Sequence, residues 1–437
     1  MPDSTCPSGG LIAEGSREVL GTSLRTLPKP TSASALWPLA LSALCAALRL
    51  SPAAHGSPDP SPLILPGAVW RDDQGAVINA HGGGILRNGG RYYWYGQHMV
   101  GGSAGNAAQV GVHVYSSEDL CRWRDDGIAM AVSPDPQSEI AKGCIIERPK
   151  VIFNRRSGKF VMWFHLEGKG RGYSSAAVGV AVADGPAGPF RFRGSFRPNA
   201  GHWPRNSPVA MRIPLDRSEE ARLSSCKMNG GPSADFPIDL VWRRDFAGGQ
   251  MSRDMSLFVD DDGAAYLITA SEENATLQIS RLADDFLGVT GDYVRVLPNG
   301  FNEAPAVFKR RGRYFMFTSG TTGWAPNACR LATAPSIWGP WLQAGNPCSG
   351  TDAQTATTFE SQSTYVLEVS GRPDLFIFMA DRWRPQNPID GRYVWLPIRW
   401  RDDLPVVEWR NSWSPLETAA QLPAAQTIPL VPQAAAP

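Results

Sequence analysis

Glu303–Ser319 reads EAPAVFKRRGRYFMFTS. A carboxylate opens the stretch, an apolar strand follows, a basic turn containing Gly312 reverses the chain, and an aromatic strand returns. Alternating apolar residues either side of a tight turn predict a β-hairpin. The same order recurs four times. His81 leads GGGILRNGGRYYWY, Glu147 leads RPKVIFNRRSGKFVMWF, Asp254 leads MSLFVDDDGAAYLI and Gln362 leads STYVLEVSGRPDLFIF. The lead residue and the turn glycine are nine apart in His81–Gly90, Asp254–Gly263, Glu303–Gly312 and Gln362–Gly371, and eleven apart in Glu147–Gly158. Strand-rich units repeated in this way, without a helical period, predict an all-β, five-bladed β-propeller. In such a ring the innermost strands converge on one axis. Five polar residues scattered along the chain thereby become one cluster.

Outward from the hairpins, the chain divides into three parts. Residues 1–62 carry Arg25 and Lys29 ahead of the apolar run ALWPLALSALCAAL (35–48), and read as a signal peptide with a disordered N-terminal segment. The apolar run is short and interrupted by Pro38, so no membrane span is expected in the mature protein. Residues 63–413 hold the propeller. Within them, 199–250 breaks the rhythm and reads as an insertion over one face of the propeller, either a wall of the pocket or a peripheral ornament without contact to substrate. Residues 414–437 are rich in Ala, Pro and Gln and read as a disordered tail. Gly188-Pro189-Phe190 and Gly339-Pro340-Trp341 look like equivalent outer corners of two blades.

The 437 residues carry a net charge of +1, which gives no electrostatic case for nucleic acid or a membrane surface. Fifteen Trp is a high count; core filling accounts for most of them, and surplus Trp and Tyr suit stacking on sugar faces. Five cysteines lie beyond the N-terminal segment, none in a metal-binding spacing; Cys329 and Cys348 could bridge across a blade edge.

The cluster would hold Glu147, Asp254 and Glu303, with His81 and Gln362 beside them. Three carboxylates in one funnel repel, so at least one should stay protonated near neutral pH. A protonated acid beside an ionised one is the apparatus of glycosidic bond cleavage. The same carboxylates would also suit a Ca2+ ion on the propeller axis, although no cofactor is required.

The run from Asp254 through LFVDDDGAAY, followed by EAPAVFKRRGRY, resembles glycoside hydrolase family 43, whose members are inverting five-bladed propellers. INAHGGGIL (78–86), YYWYGQ (92–97), ERPKVIFN (147–154), SRDM (252–255), TGWAPNA (322–328), SQST (361–364), DRW (381–383) and GRYVWLPI (391–398) resemble its exo-β-1,3-galactanase branch. By that resemblance Glu303 is the general acid, and Asp254 raises its pKa and orients it. The family's usual base, a first-blade aspartate, is absent from Asn79-Ala80-His81-Gly82. Water activation therefore falls to Glu147 or Gln362. For substrate binding the candidates are His81, Trp324, Asn327, Arg382, Trp383, Tyr393 and Trp395; His98, His113 and His165 read as structural. The expected protein is a secreted or periplasmic, monomeric exo-enzyme releasing galactose from β-1,3-galactan, the backbone of arabinogalactan. The alternatives are an α-L-arabinofuranosidase, a β-xylosidase, or a non-catalytic galactan-binding propeller.

Overall fold

The computed structural model describes residues 62–225 and 237–416. The proposed signal segment, most of the tail and Cys226 lie outside them. Each of the five hairpins is the inner half of a four-stranded antiparallel sheet. The innermost strands are His81–Asn88, Ile145–Asn154, Met255–Val259, Asn302–Arg310 and Gln362–Glu368. The sheets form the five blades of a β-propeller. In the fifth blade a short extra strand, Cys348–Ser349, adds in parallel outside Leu404–Glu408. Both Gly-Pro corners link the third and fourth strands of their blades, as the sequence suggested, and both Gly–Pro bonds are cis.

Five of the buried apolar clusters lie at the five seams between neighbouring blades. The seam between the last and first blades is the most aromatic. Trp70, Trp94, Trp123, Tyr393 and Trp395 meet there with ring centroids 4.5–5.9 Å apart. This seam also closes the ring, because Ile64 and Trp413 exchange two backbone hydrogen bonds of 2.8 and 3.1 Å. Two such bonds contribute about 1 kcal/mol each. Each fully buried large apolar side chain contributes about 1.5–3 kcal/mol. Closure therefore rests on the aromatic packing, and the hydrogen bonds set its register.

Strand direction decides which residues face which mouth of the ring. Every inner strand begins at one mouth and ends in a turn at the other. The second strand then returns, so the loops joining second to third strands lie beside the starts of the inner strands. Local backbone geometry sharpens this placement. In blades 1, 2 and 4 the residue after the lead position adopts a positive φ: Gly82 at 63°, Arg148 at 55° and Ala304 at 54°. Each sits where the strand register slips. A bulge of this kind leaves one residue unpaired and re-aims the neighbouring side chains.

The segment 199–250 departs from the expectation of a pocket wall. It contains two helices, Arg217–Ser225 and Ile238–Arg244, and returns to its origin where Gln250 N donates to Pro198 O at 2.7 Å. It docks along the outer strand of blade 3, with Arg205 N donating to Tyr293 O at 2.8 Å and Asn206 pairing with the Arg295 backbone. That covers a strand edge that would otherwise present unpaired backbone. Trp203, Trp242 and Phe246 pack on one another rather than over a cavity, and Phe236 lies outside the described residues. Cys121, Cys144, Cys329 and Cys348 are all free thiols.

Candidate active site

At the mouth where the inner strands begin lies a cavity of about 240 Å³. Four of the five lead residues enter it: Glu147, Asp254, Glu303 and Gln362. Gln97, Arg148, His165 and Arg253 add to its wall from the strands or their entries, and the second-to-third-strand loops, one from each blade, complete it. These supply Asn106, Tyr173, Asn274, Trp324 and Trp383 in chain order.

Glu147 is held from three directions. Its Oε1 accepts from Tyr173 Oη at 2.6 Å and Asn106 Nδ2 at 3.1 Å, and Oε2 pairs with His165 Nδ1 at 2.9 Å. Burial pushes this carboxyl up, but the His165 contact, with those of Tyr173 and Asn106, brings it down to about 2. His165 lies between two carboxylates, its Nε2 being 2.8 Å from Glu167. Burial disfavours its charge, yet bonds to Glu147 and Glu167 raise it to about 9. The imidazole is therefore an imidazolium at neutral pH, with both nitrogens donating. His165, expected to be structural, belongs to the cavity wall.

Glu303 is the opposite case. Burial first, then the adjacent Asp254 carboxylate, raise its carboxyl to about 8, against the pull of Arg148 and Arg253. Its Oε1 accepts from Asn274 Nδ2 at 2.8 Å. Asn274 ends a run of three left-handed residues, with Glu272 at 51°, Glu273 at 58° and Asn274 at 66°. Such a run is costly for residues with a Cβ and persists only where surroundings enforce it. Here Arg295 grips Glu272 with two bonds of 2.8 Å.

Arg148 joins the remaining parts. Its guanidinium lies 2.9 Å from Asp254 Oδ2, donates to Gln362 Oε1 at 2.5 Å, and donates to Ser363 O at 2.7 Å. Asp254 Oδ2 also accepts from Ala304 N at 3.0 Å. The Gln362 amide is oriented at both ends, accepting from Trp383 Nε1 at 2.8 Å and donating to Ser319 Oγ at 2.8 Å. Two carboxyl groups with opposite protonation in one cavity, beside a fixed amide, can supply a proton and order a water.

The other expected binding residues divide. Trp324, 39% exposed, and Trp383 stand edge to face at the rim, 5.8 Å apart. Asn327 lies behind them, bracing the loop through Gly320 and Thr322. His81, Arg382, Tyr393 and Trp395 do not line the cavity. The His81 ring packs against Gly391, where a Cβ would come within 2.7 Å, and beside Tyr393. Burial holds it neutral by lowering its pKa to about 3. Gln97, its cross-strand partner, faces the cavity instead. Tyr393 Oη bridges Ala80 N and Ile78 O, Trp395 is fully buried in the closing seam, and Arg382 donates to Phe359 O.

Among the described residues, one group has ligand atoms close enough for a metal ion: Glu147, His165 and Asp254, within 4.8 Å of one another. The donor set does not suit a cation. His165 has no lone pair to offer while it serves two carboxylates, and Asp254 already bears the Arg148 charge.

Residues 235–405 match the profile of glycosyl hydrolases family 43. A β-1,3-galactosidase of that family, solved with galactodeoxynojirimycin, is 49% identical, with 80% of this chain and all of that one aligned at a TM-score of 0.74. The exo-β-1,3-galactanase of Phanerochaete chrysosporium, solved with β-1,3-galactotriose, is 31% identical over 81% of this chain and 68% of its own, at a TM-score of 0.63. A β-D-galactofuranosidase of Aspergillus niger is 31% identical over 130 residues, which span 27% of this chain and 37% of the relative's length.

Proposed function

From the premise that the chain belongs to glycoside hydrolase family 43, we propose that it removes galactose from the non-reducing end of β-1,3-galactan. The observation that carries this reading is Glu303, a carboxyl raised to about 8 inside a cavity that also holds an ionised Glu147. Glu303 gives its proton to the glycosidic oxygen as the C–O bond breaks, and Asp254 keeps that proton in place until then. A water adds to the opposite face of the sugar, so the product is released as the α-anomer. Glu147 or Gln362 presents that water. Three donors make Glu147 an ionised but weak base, suited also to binding a sugar hydroxyl. Gln362, held by Arg148, Trp383 and Ser319, is suited to positioning the water. The open-mouthed cavity accommodates a terminal sugar, and Trp324 with Trp383 at the rim offers apolar faces to the next residue of the chain. Export fits this reading, since galactan and arabinogalactan are extracellular polymers.

Incubation with β-1,3-galactobiose, debranched arabinogalactan and arabinofuranosyl substrates tests the reading. Galactose alone, appearing first as the α-anomer by NMR, is expected. Release of arabinose would redirect the specificity. Binding without turnover would make the protein a galactan-binding propeller.

A further inference from the structure

A second cavity, of about 840 Å³, opens at the other mouth of the ring and is lined by the far ends of the inner strands, among them Ile85, Ile152, Val307 and Leu367. No residue lines both cavities. Lys150 sits in the layer between them. Its side chain is 2% exposed, and its Nζ donates to Gly82 O at 3.0 Å and to Arg148 O at 3.3 Å. The stem lies against the neighbouring blade at Gly84, where a Cβ would come within 2.4 Å of Lys150 Cδ. Gly82 and Arg148 are two of the left-handed residues that shape the catalytic mouth. A lysine from the second blade therefore ties together the bulges of the first two.

Calcium needs six to eight oxygens at about 2.3–2.6 Å. Here the two inward carbonyls are already taken by an amine. The neighbouring carboxylates are also engaged: Asp381 accepts from Gly82 N at 2.7 Å, and Asp254 serves Arg148 and Ala304. We propose that the Lys150 amino group is the resident occupant of the propeller axis, standing where a metal ion would otherwise join the blades, and that it acts as a positioning residue for Arg148. Nζ fixes the Arg148 carbonyl, the left-handed backbone of Arg148 aims its guanidinium, and the guanidinium sets Asp254 and Gln362. Burial first, then Arg148, hold the amine well below the usual lysine range. Charged or neutral, it keeps at least the two N–H donors that the carbonyls use.

The inference rests on the galactosidase reading only for its kinetic readout. Wild-type inactivity on β-1,3-galactobiose would sink that reading, and an active wild type lets this one be judged separately. In Lys150→Met, kcat should fall by about tenfold or more while KM stays within about threefold, since misaiming Asp254 and Gln362 costs the transition state more than the ground state. A wild-type kcat in this variant overturns the proposal. Should Lys150→Met not fold, Gly84→Ala supplies the same readout, because its new methyl displaces the lysine stem instead of removing it; an unchanged kcat there is equally fatal. Independently, chelation with EDTA should leave the activity and thermal unfolding of the wild type unchanged. Loss on chelation, restored by Ca2+, would put a metal ion on the axis and overturn the assignment.

Discussion

The Glu147 carboxylate and the His165 imidazole lie 2.9 Å apart, and the far nitrogen of the same ring is 2.8 Å from Glu167. One buried imidazolium thus serves two buried carboxylates. Glu167 is further fixed by the backbone N–H groups of Ser175 and Ala176, at 2.7 and 3.0 Å. That arrangement anchors Glu147 to the Gly-rich loop carrying Tyr173. Replacing His165 by Gln leaves two carboxylates without their shared charge. Breaking a buried ion pair costs about 3–5 kcal/mol, so His165→Gln should unfold at clearly lower temperature and lose most of its kcat/KM. A variant melting and turning over like wild type would show that the cation has no role.

The same residues contribute to the pH dependence of stability. His165 and Glu303 have folded pKa values raised to about 9 and about 8, so the folded protein holds protons that the unfolded chain has released. Their contribution is full below the unfolded values and is lost as pH rises through the folded ones. Glu147, lowered to about 2, works the other way, and its contribution is lost as pH falls through that value. In thermal unfolding these three groups favour mildly acidic solution and a decline above neutrality, offset in part by His81 and Lys150, whose lowered values favour higher pH. In His165→Gln the decline between about pH 6.5 and 9 should flatten. An unaltered slope in that variant would assign the decline to other groups.

Activity should carry a basic limb. Glu303 must be protonated to act, so kcat/KM should fall above about pH 8 by tenfold per unit. Glu303→Gln should lower kcat by about a hundredfold or more on galactobiose, and far less on an aryl galactoside whose leaving group needs little protonation. Equal losses on both substrates would remove Glu303 from the acid role.

The water-presenting residue can be identified by azide. If Glu147 takes the proton from water, Glu147→Ala should be rescued with formation of α-galactosyl azide, because azide needs no base. If Gln362 holds the water, rescue should appear in Gln362→Ala instead. Product analysis by NMR distinguishes the two outcomes.

The helical insertion should matter to stability rather than to substrate affinity. Trp242 is fully buried, packs on Trp203 and lies under Arg295. A buried Trp→Ala change costs about 3–5 kcal/mol, which should lower Tm by several degrees. KM for galactobiose should stay within about twofold of wild type, because none of the described insertion residues lines the cavity. A markedly raised KM would return the segment to the pocket wall.

Much of this protein was legible in its sequence. Alternating apolar strands and the nine-residue offset specify five equivalent hairpins, because strand period and turn chemistry are local properties. A ring of equivalent hairpins must gather their lead residues, so Glu147, Asp254, Glu303 and Gln362 could be named together. Tertiary structure decided the rest. His81 holds the same sequence position, yet Gly82 is left-handed and Gly391 leaves room for the ring, so the side chain turns into a blade seam and Gln97 replaces it. Asn106, Tyr173 and Asn274 come from loops with no shared motif; only the up-and-down course of each blade brings those loops to the catalytic mouth. Tyr393 and Trp395 look like sugar-binding aromatics in sequence, but their strand is the third of its blade and faces the closing seam. The charge states of Glu147 and Glu303 follow from three donors around one carboxylate, and from burial with a second carboxylate beside the other. Proximity of that kind is created by the folded chain, because residues so far apart in sequence share no local signal.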